Sequence, residues 1–396
     1  MERRKISFAT GSRADYGIVR NYLKLLNEDS DIDLSILVTG ALLSNEYGHQ
    51  VELIYRDGFK IGAEIEIKID PSSNAGVIHS MADALDKFGE YFMENRSDLL
   101  IILGDRYEML SVATAAAMNR IPILHLHGGE ATFGNYDEFI RHSITKMSLF
   151  HITATEEYRR RVIQLGEEPE RVFNLGALGA ENCLRIDEGM VPDRVMGLKG
   201  TRYFVVLFHP ETLTSASTME QIMELLSAVD RYNNYKFVFL GANADTHADV
   251  IRNKVKGYVD SHDNCEYFEN LPTSGYHFLV RNSLGLIGNS SSGLIEVPSL
   301  KAYTINIGHR QDGRVRGNSV MDVPCRSDAI CEAIDKVINK GNKDEIENPY
   351  FRCDSDRNYY LTTKMMLKMI EQGVGTNPKT FFDFKDKEFA NFLCGF

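Results

Sequence analysis

Apolar residues along this chain alternate between two patterns. Short continuous apolar runs ending in glycine or a charged residue, such as "KISFATGSR" (5–13), are followed by amphipathic stretches with helical spacing, such as "ADYGIVRNYLKLLNE" (14–28). "LSILVTG" (34–40), "DLLIILGDR" (98–106) and "IPILHLHGG" (121–129) repeat the first kind. Runs that are apolar at every residue are those of strands covered on both faces of a parallel sheet. The pattern restarts after the polar, glycine-containing stretch 184–201, with "RYFVVLFHPET" (202–212), a helix from about Ser217 to Tyr232, "YKFVFLGANAD" (235–245), "SLGLIGNSSSG" (283–293) and "AYTINIG" (302–308). A chain of 396 residues exceeds what one core usually serves. The expectation is an α/β protein of two doubly wound βα-repeat domains, 1–185 and 200–357, with a ligand cleft between the carboxyl ends of their strands. "NYYLTTKMMLKMIEQ" (358–372) reads as a helix, and the tail 358–396 is expected to pack back on the first domain.

Composition narrows the function classes. A formal charge of −12 with no basic segment to offset it excludes wrapping of nucleic acid, so any anionic substrate must be held by local positive groups. No run approaches the ~18 apolar residues of a membrane helix, and "MERRKISFATGS" enters a strand without a signal-peptide stretch, so a cytoplasmic protein is expected. The six cysteines, at 183, 265, 325, 331, 353 and 394, include no CxxC pair; free thiols are expected rather than a disulfide framework or a thiolate zinc site.

Charged and hydroxyl residues gather where the strands end. In "LIGNSSSGLIEVPSL" (286–300) an apolar run meets Ser290, Ser291 and Ser292, and Gly293 opens a helical pattern carrying Glu296. Such a start offers backbone N–H groups and a dipole end to a phosphate, with Glu296 placed to accept from ribose hydroxyls, although one serine alone would serve as an ordinary N-cap. Arg13, Arg106 and Arg310 each follow a strand, with Arg314 and Arg316 close behind, and guanidinium forks suit diphosphate oxygens. Asp105 ends a buried run directly after Gly104, and His209 holds the matching place in the second half.

The densest collection is "HLHGGEATFGNYDEFIRH" (125–142). Gly128 and Gly129 free the backbone to turn, Glu130 follows, and a helix begins near Tyr136 with Asp137 and Arg141 four apart on one face. Glu138 is placed to pair with Arg141 or His142, and Asp137 could equally act as a dipole-stabilised cap. Carboxylates that share a cleft split their pKa values and so supply both a base and an acid. His125 and His127 alternate along the strand and would share a face, but no third ligand follows at suitable spacing, so no metal is implied. "TGSRADYG" is not GxGxxG, so NAD is not expected.

Together, "GSRADYG", "LGDRYE", "HGGE", "YDEFIRHSITK", "FHPET", "GNSSSGLIEVPS" and "INIGHRQDGRVRG" resemble, in order and spacing from Phe8 to about Gly317, the hydrolysing UDP-N-acetylglucosamine 2-epimerases of bacterial sialic acid synthesis. The resemblance implies a GT-B-like fold of two Rossmann-type domains, a UDP-sugar substrate, no cofactor, and a homodimer or homotetramer. It also implies anti elimination of UDP to a 2-acetamidoglucal, followed by hydration to N-acetylmannosamine. Carried over by motif, Asp105, Glu130, Asp137 and His209 are the implied acid–base and cleft residues. Arg13, Arg106, Arg141, Asn243, Ser290, Ser291, Gly293, Glu296 and Arg310 are the implied nucleotide contacts.

Two departures matter. His127 stands where many members of the wider family carry the glutamate of an HVE triplet, so His127 or Glu130 is expected to take that role. The Gln-His-Arg element of non-hydrolysing relatives is absent near "TGALLSNEYG" (39–48), which favours the hydrolysing branch. The competing readings are the same reaction on a UDP-2,4-diacetamido-2,4,6-trideoxyhexose, a GT-B glycosyltransferase, and a non-catalytic sensor of UDP-sugars.

Overall fold

The structure, a computed structural model, describes all residues except 1–2, 46–47, 72, 134–135, 212–215, 242–247, 341–342, 378 and 384–396. The chain forms two compact units. The first comprises 1–130, 136–175 and 354–396, the second 131–135 and 176–353. Among the described residues no helix is long and apolar enough to cross a membrane.

The first unit is built on a seven-stranded, all-parallel sheet: β1 (Arg4–Thr10), β2 (Ile32–Thr39), β3 (Ile61–Ile65), β4 (Leu99–Leu103), β5 (Ile123–Leu126), β6 (Phe150–Thr153) and β7 (Val172–Asn174). Their order is β3-β2-β1-β4-β5-β6-β7. All five residues of β4 are buried, which is why its sequence is apolar at every position. Winding runs one way from β1 and the other way from β4, so the segments leaving these two neighbours diverge and open a crevice at their carboxyl ends. Register places Ala9 beside Ile102, so both strands exit at nearly the same level.

Two of the strands that the pattern above passes over depart from a continuous apolar run. Edge strand β3 alternates exposed residues with less exposed ones and buries only Ile65, and β6 interrupts its apolar run with buried His151.

The second unit repeats the plan with six parallel strands: β8 (Tyr203–Leu207), β9 (Lys236–Leu240), β10 (Cys265–Phe268), β11 (Gly285–Gly288), β12 (Tyr303–Ile307) and β13 (Val320–Val323), ordered β10-β9-β8-β11-β12-β13. Here the reversal falls between β8 and β11. Gly288 ends β11 at φ +150, where a Cβ would lie 1.8 Å from the Leu207 carbonyl oxygen, so only glycine lets the two exits come this close. The stretch 184–201, expected to be a polar connection, instead packs into this unit. Val191, Val195 and Leu198 recur at helical spacing and join Tyr203, Val205 and Phe278 in one apolar cluster.

The chain's last helix, Ser355–Glu371, lies on the first unit's helix Arg13–Glu28. Tyr359 meets Tyr22 edge-on at 5.6 Å, Tyr22 and Thr363 hydroxyls are 2.7 Å apart, and Lys364 pairs with Asp29 at 2.7 Å. Further on, Lys379 donates to the carbonyls of Lys146 (2.9 Å) and Ser148 (2.6 Å), which end the helix Asp137–Met147, and pairs with Glu167 at 2.5 Å. An ammonium at a helix C-terminus answers its negative dipole end.

Glu167 is buried and also meets Lys146 (2.7 Å) and His151 (3.0 Å). Burial pushes its carboxyl upward, but these partners override it and hold it at about 2, while burial lowers Lys379 to about 8. A carboxyl held below its ordinary 4.5 adds stability that is complete above pH 4.5 and is lost as pH falls towards 2. Glu167→Gln should therefore cost about 3 kcal/mol near neutral pH. Thermal melting against pH should show the gap between wild type and variant closing between about pH 4.5 and 2.

Candidate active site

The first unit gathers its chemistry where β1 and β4 end. After β1, Ser12 caps the helix Arg13–Glu28 by accepting from the Asp15 amide at 3.1 Å, and Arg13 is exposed in its first turn. After β4, Gly104 turns with φ +74 and delivers Asp105 and Arg106. Arg106 precedes the helix Tyr107–Met118, and its Nε donates to the Glu108 carboxylate. Asp15 feels Arg106, Glu108 and Asp105 together. Burial pushes its carboxyl up to about 6, against the pull of Arg106. This edge therefore mixes three carboxylates with one strongly held guanidinium, and Glu108 is what chiefly raises the Arg106 pKa.

The next strand supplies the frame. His125 on β5 is buried, donates from Nε2 to the Gly104 carbonyl at 2.8 Å, and has Nδ1 3.1 Å from the Thr145 hydroxyl. Burial drops its pKa to about 3, so it is a neutral strut between the β4 turn and the helix Asp137–Met147. His127 does not share its strand face, as the sequence pattern suggested. β5 stops at Leu126, and His127 adopts a left-handed φ of +64, which turns the chain away. Gly129 follows at φ +80, where a Cβ would lie 2.4 Å from the Tyr158 carbonyl oxygen. Gly129 is thus required by close backbone packing, while a Cβ at Gly128 would come 3.0 Å from both His125 Nδ1 and Thr145 Oγ1. The turn leaves His127 Nδ1 3.7 Å from the buried Glu130 carboxylate.

Helix Asp137–Met147 brings Asp137 and Glu138 in its first turn, where its dipole favours negative charge. Arg141, expected among the nucleotide contacts, instead lies 1% exposed under this edge. Its guanidinium pairs with Asp105, meets Glu138 at 3.1 Å and donates to the Glu130 carbonyl at 2.8 Å. Glu138 also reaches His142 at 3.1 Å, so it serves both partners left open by the sequence. Asp105 remains 24% exposed, a carboxylate fixed from below with part of its surface open.

In the second unit the exits of β8 and β11 are tied by a reciprocal pair. The His209 amide donates to Asn289 Oδ1 at 2.8 Å, and Asn289 Nδ2 donates to the His209 carbonyl at 2.9 Å, with both residues buried. Arg310 Nη1 and Gln311 Nε2 donate to the Asn289 carbonyl at 3.2 and 2.8 Å. Glu211 accepts from the amides of His309 (2.7 Å) and Arg310 (2.8 Å), fixing the turn after β12. Ser290 and Ser292 hydroxyls are 3.0 Å apart, and Ser292 meets Tyr276 at 2.7 Å.

The helix expected from Gly293 is a single turn, Ser292–Ile295, with Ser291 before it making no side-chain cap and Glu296 at its end. Gly293 packs where a Cβ would sit 2.8 Å from Thr304 Cγ2, and Glu296 lies 3.4 Å from His277 Nε2.

Structure thus groups Asp105, His127, Glu130, Asp137 and Arg141 in one unit and His209, Ser290, Ser291, Glu296 and Arg310 in the other, while Asn243 falls outside the described residues. Sequence reasoning passed over Asp15, Glu108, Glu211 and Asn289. Each sits within a few residues of a strand end and inside or beside a motif already singled out, a position that could have flagged it.

The profile of the UDP-N-acetylglucosamine 2-epimerase family matches residues 24–361. An Escherichia coli protein named polysialic acid biosynthesis protein P7 is 46% identical over 391 residues, spanning 96% of this chain and 97% of its own. The GDP/UDP-N,N'-diacetylbacillosamine 2-epimerase (hydrolyzing) of Campylobacter jejuni is 37% identical over 326 residues, 81% of this chain and 85% of its own. The S. aureus MnaA-UDP co-structure superposes with a TM-score of 0.78 at 16% identity, covering 96% of this chain and 100% of that one, a likeness of fold that accords with a GT-B-like, two-domain α/β architecture. On the family profile and the near full-length relatives, this chain is an enzyme of the UDP-N-acetylglucosamine 2-epimerase family.

Proposed function

We propose that the enzyme is a hydrolysing 2-epimerase, converting UDP-N-acetylglucosamine and water to N-acetylmannosamine and UDP. A base removes the proton from C2 while the C1–O bond breaks and its electron pair leaves with UDP, giving the 2-acetamidoglucal. Water then adds through oxygen at C1, and a proton returns to C2 on the opposite face. The observation that carries this reading is the acid–base group at the carboxyl end of β4 and β5. Asp105 is held by buried Arg141, His127 stands beside Glu130, and Asp137 opens the neighbouring helix. Two carboxylates and an imidazole–carboxylate pair in unlike surroundings can divide base and acid roles between them.

In this reading Arg13 and Arg106 hold the diphosphate, whose developing charge they stabilise as it leaves. The turn 288–293, Glu296 and Arg310 hold the nucleotide, and Asn243 belongs with them. The same reading gives His209, whose backbone Asn289 locks, a role toward the nucleotide. Arg141 acts as a positioning residue for Asp105. The name of the E. coli relative supports a product used in sialic acid synthesis, and the "hydrolyzing" in that of the Campylobacter relative supports release of free sugar. The latter also favours a second reading, the same reaction on UDP-N,N'-diacetylbacillosamine, and product analysis with both sugar nucleotides separates the two.

Incubation with UDP-N-acetylglucosamine in deuterated water, followed by NMR, should yield free N-acetylmannosamine deuterated at C2 and one UDP per sugar. A sugar that keeps its C2 hydrogen, stays bound to UDP or requires an acceptor would overturn the proposal. Asp105→Asn should lower kcat by about 10²- to 10⁴-fold; its melting temperature should fall but the fold persist, because the amide oxygen still accepts from Arg141 and Glu138 remains as counter-charge.

A further inference from the structure

Glu108 is a buried carboxylate to which the proposed reaction gives no part. It sits one residue inside the helix Tyr107–Met118, and its side chain is only 2% exposed. One oxygen, Oε1, accepts from Arg106 Nε. The same oxygen occupies the space where a side chain at Gly11 would begin, 2.6 Å from that Cβ position, and lies 3.5 Å from the corresponding position at Gly40. Glu108 is therefore wedged where the turns leaving β1, β2 and β4 meet. The other oxygen, Oε2, is buried without a hydrogen-bond partner among the described residues. A carboxylate so placed is costly to keep for packing alone.

The contact with Arg106 is informative in its geometry. Contact at Nε uses the single inner donor of the guanidinium and leaves the four N–H groups on Nη1 and Nη2, the fork that matches phosphate oxygens. Arg106 is 40% exposed, and Glu108 accounts for all of its hydrogen bonds and ion pairs among the described residues. A free arginine loses much rotamer entropy on binding an anion, whereas one already clamped at Nε loses less.

We propose that Glu108 is the positioning residue for Arg106, clamping its guanidinium at Nε so that both terminal nitrogens face an incoming diphosphate. The proposal rests on the reading of Arg106 as a diphosphate contact. It assigns Glu108 no contact with substrate.

Calorimetric titration of the full-length enzyme with UDP tests it in a double-mutant cycle with Arg106→Ala. Glu108→Ala should weaken UDP binding by about tenfold or more, while Glu108→Gln, which keeps an acceptor for Nε, should stay within about threefold of wild type. In the Arg106→Ala background, Glu108→Ala should cost nothing further. Equal losses in both backgrounds would assign Glu108 a structural role and overturn the proposal, as would unchanged UDP affinity in Glu108→Ala. Should the alanine variant fail to fold, Glu108→Asp, which keeps the charge but withdraws the carboxylate by one methylene, must show the weakened binding in its place. A wild-type enzyme that binds no UDP would instead remove the functional reading itself, and a wild type that binds UDP equally well with Arg106→Ala would remove Arg106 from the diphosphate contacts and the clamp with it.

Discussion

A guanidinium can leave water only where its donors and its charge are both answered, and Arg141 answers them by drawing three distant segments together. It binds the carboxylate after β4, the carbonyl of Glu130 after β5 and the Glu138 side chain on its own helix. Removal of any one partner would strand a buried charge. The positions of Asp105, Glu130 and the helix start are therefore mutually dependent, and the acid–base group keeps its geometry without ligand. Neutral His125 performs a parallel task one layer deeper, bridging the Gly104 turn and Thr145 without adding a second positive charge beside Arg141.

The second unit reaches comparable order by uncharged means. Asn289 and the His209 backbone exchange two hydrogen bonds between neighbouring strand exits, and Gly288 removes the side chain that would hold those exits apart. Glu211 then fixes the turn after β12 through two backbone amides. The Asn289–His209 lock joins the strand exits without placing a charge there, while the Glu211 carboxylate is occupied by the His309 and Arg310 amides. In the first unit the carboxylates proposed for proton transfer include one, Asp105, that a buried arginine holds.

The C-terminal segment extends this logic to the far end of the helix Asp137–Met147. Lys379 closes the carbonyl end of Asp137–Met147, and Glu167, His151 and Lys146 complete the cluster around it. The same helix thus carries proposed acid–base residues in its first turn and a clamp at its last, with opposite charges at opposite dipole ends.

Much of the architecture was legible from local pattern. Apolar runs such as "LLIIL" announce strands covered on both faces, and glycine or charge after them announces the edge where ligands bind. Strand β6 and the packed stretch 184–201 were not, because His151 is satisfied by a glutamate sixteen residues later and Val191, Val195 and Leu198 are too few to outweigh their polar neighbours. By itself the sequence determined the element types, the two-fold repeat of the α/β plan, the family and the chemical inventory at each strand end, since these depend on periodicity and near neighbours. Only the tertiary structure decided that Arg141 is buried beneath Asp105 rather than exposed beside Asp137, that His127 leaves its strand, and that Glu108 grips Arg106 between two glycine turns. Those outcomes depend on strand order and on how closely backbones approach, and residues tens of positions apart have no signal in common until the sheet brings them together.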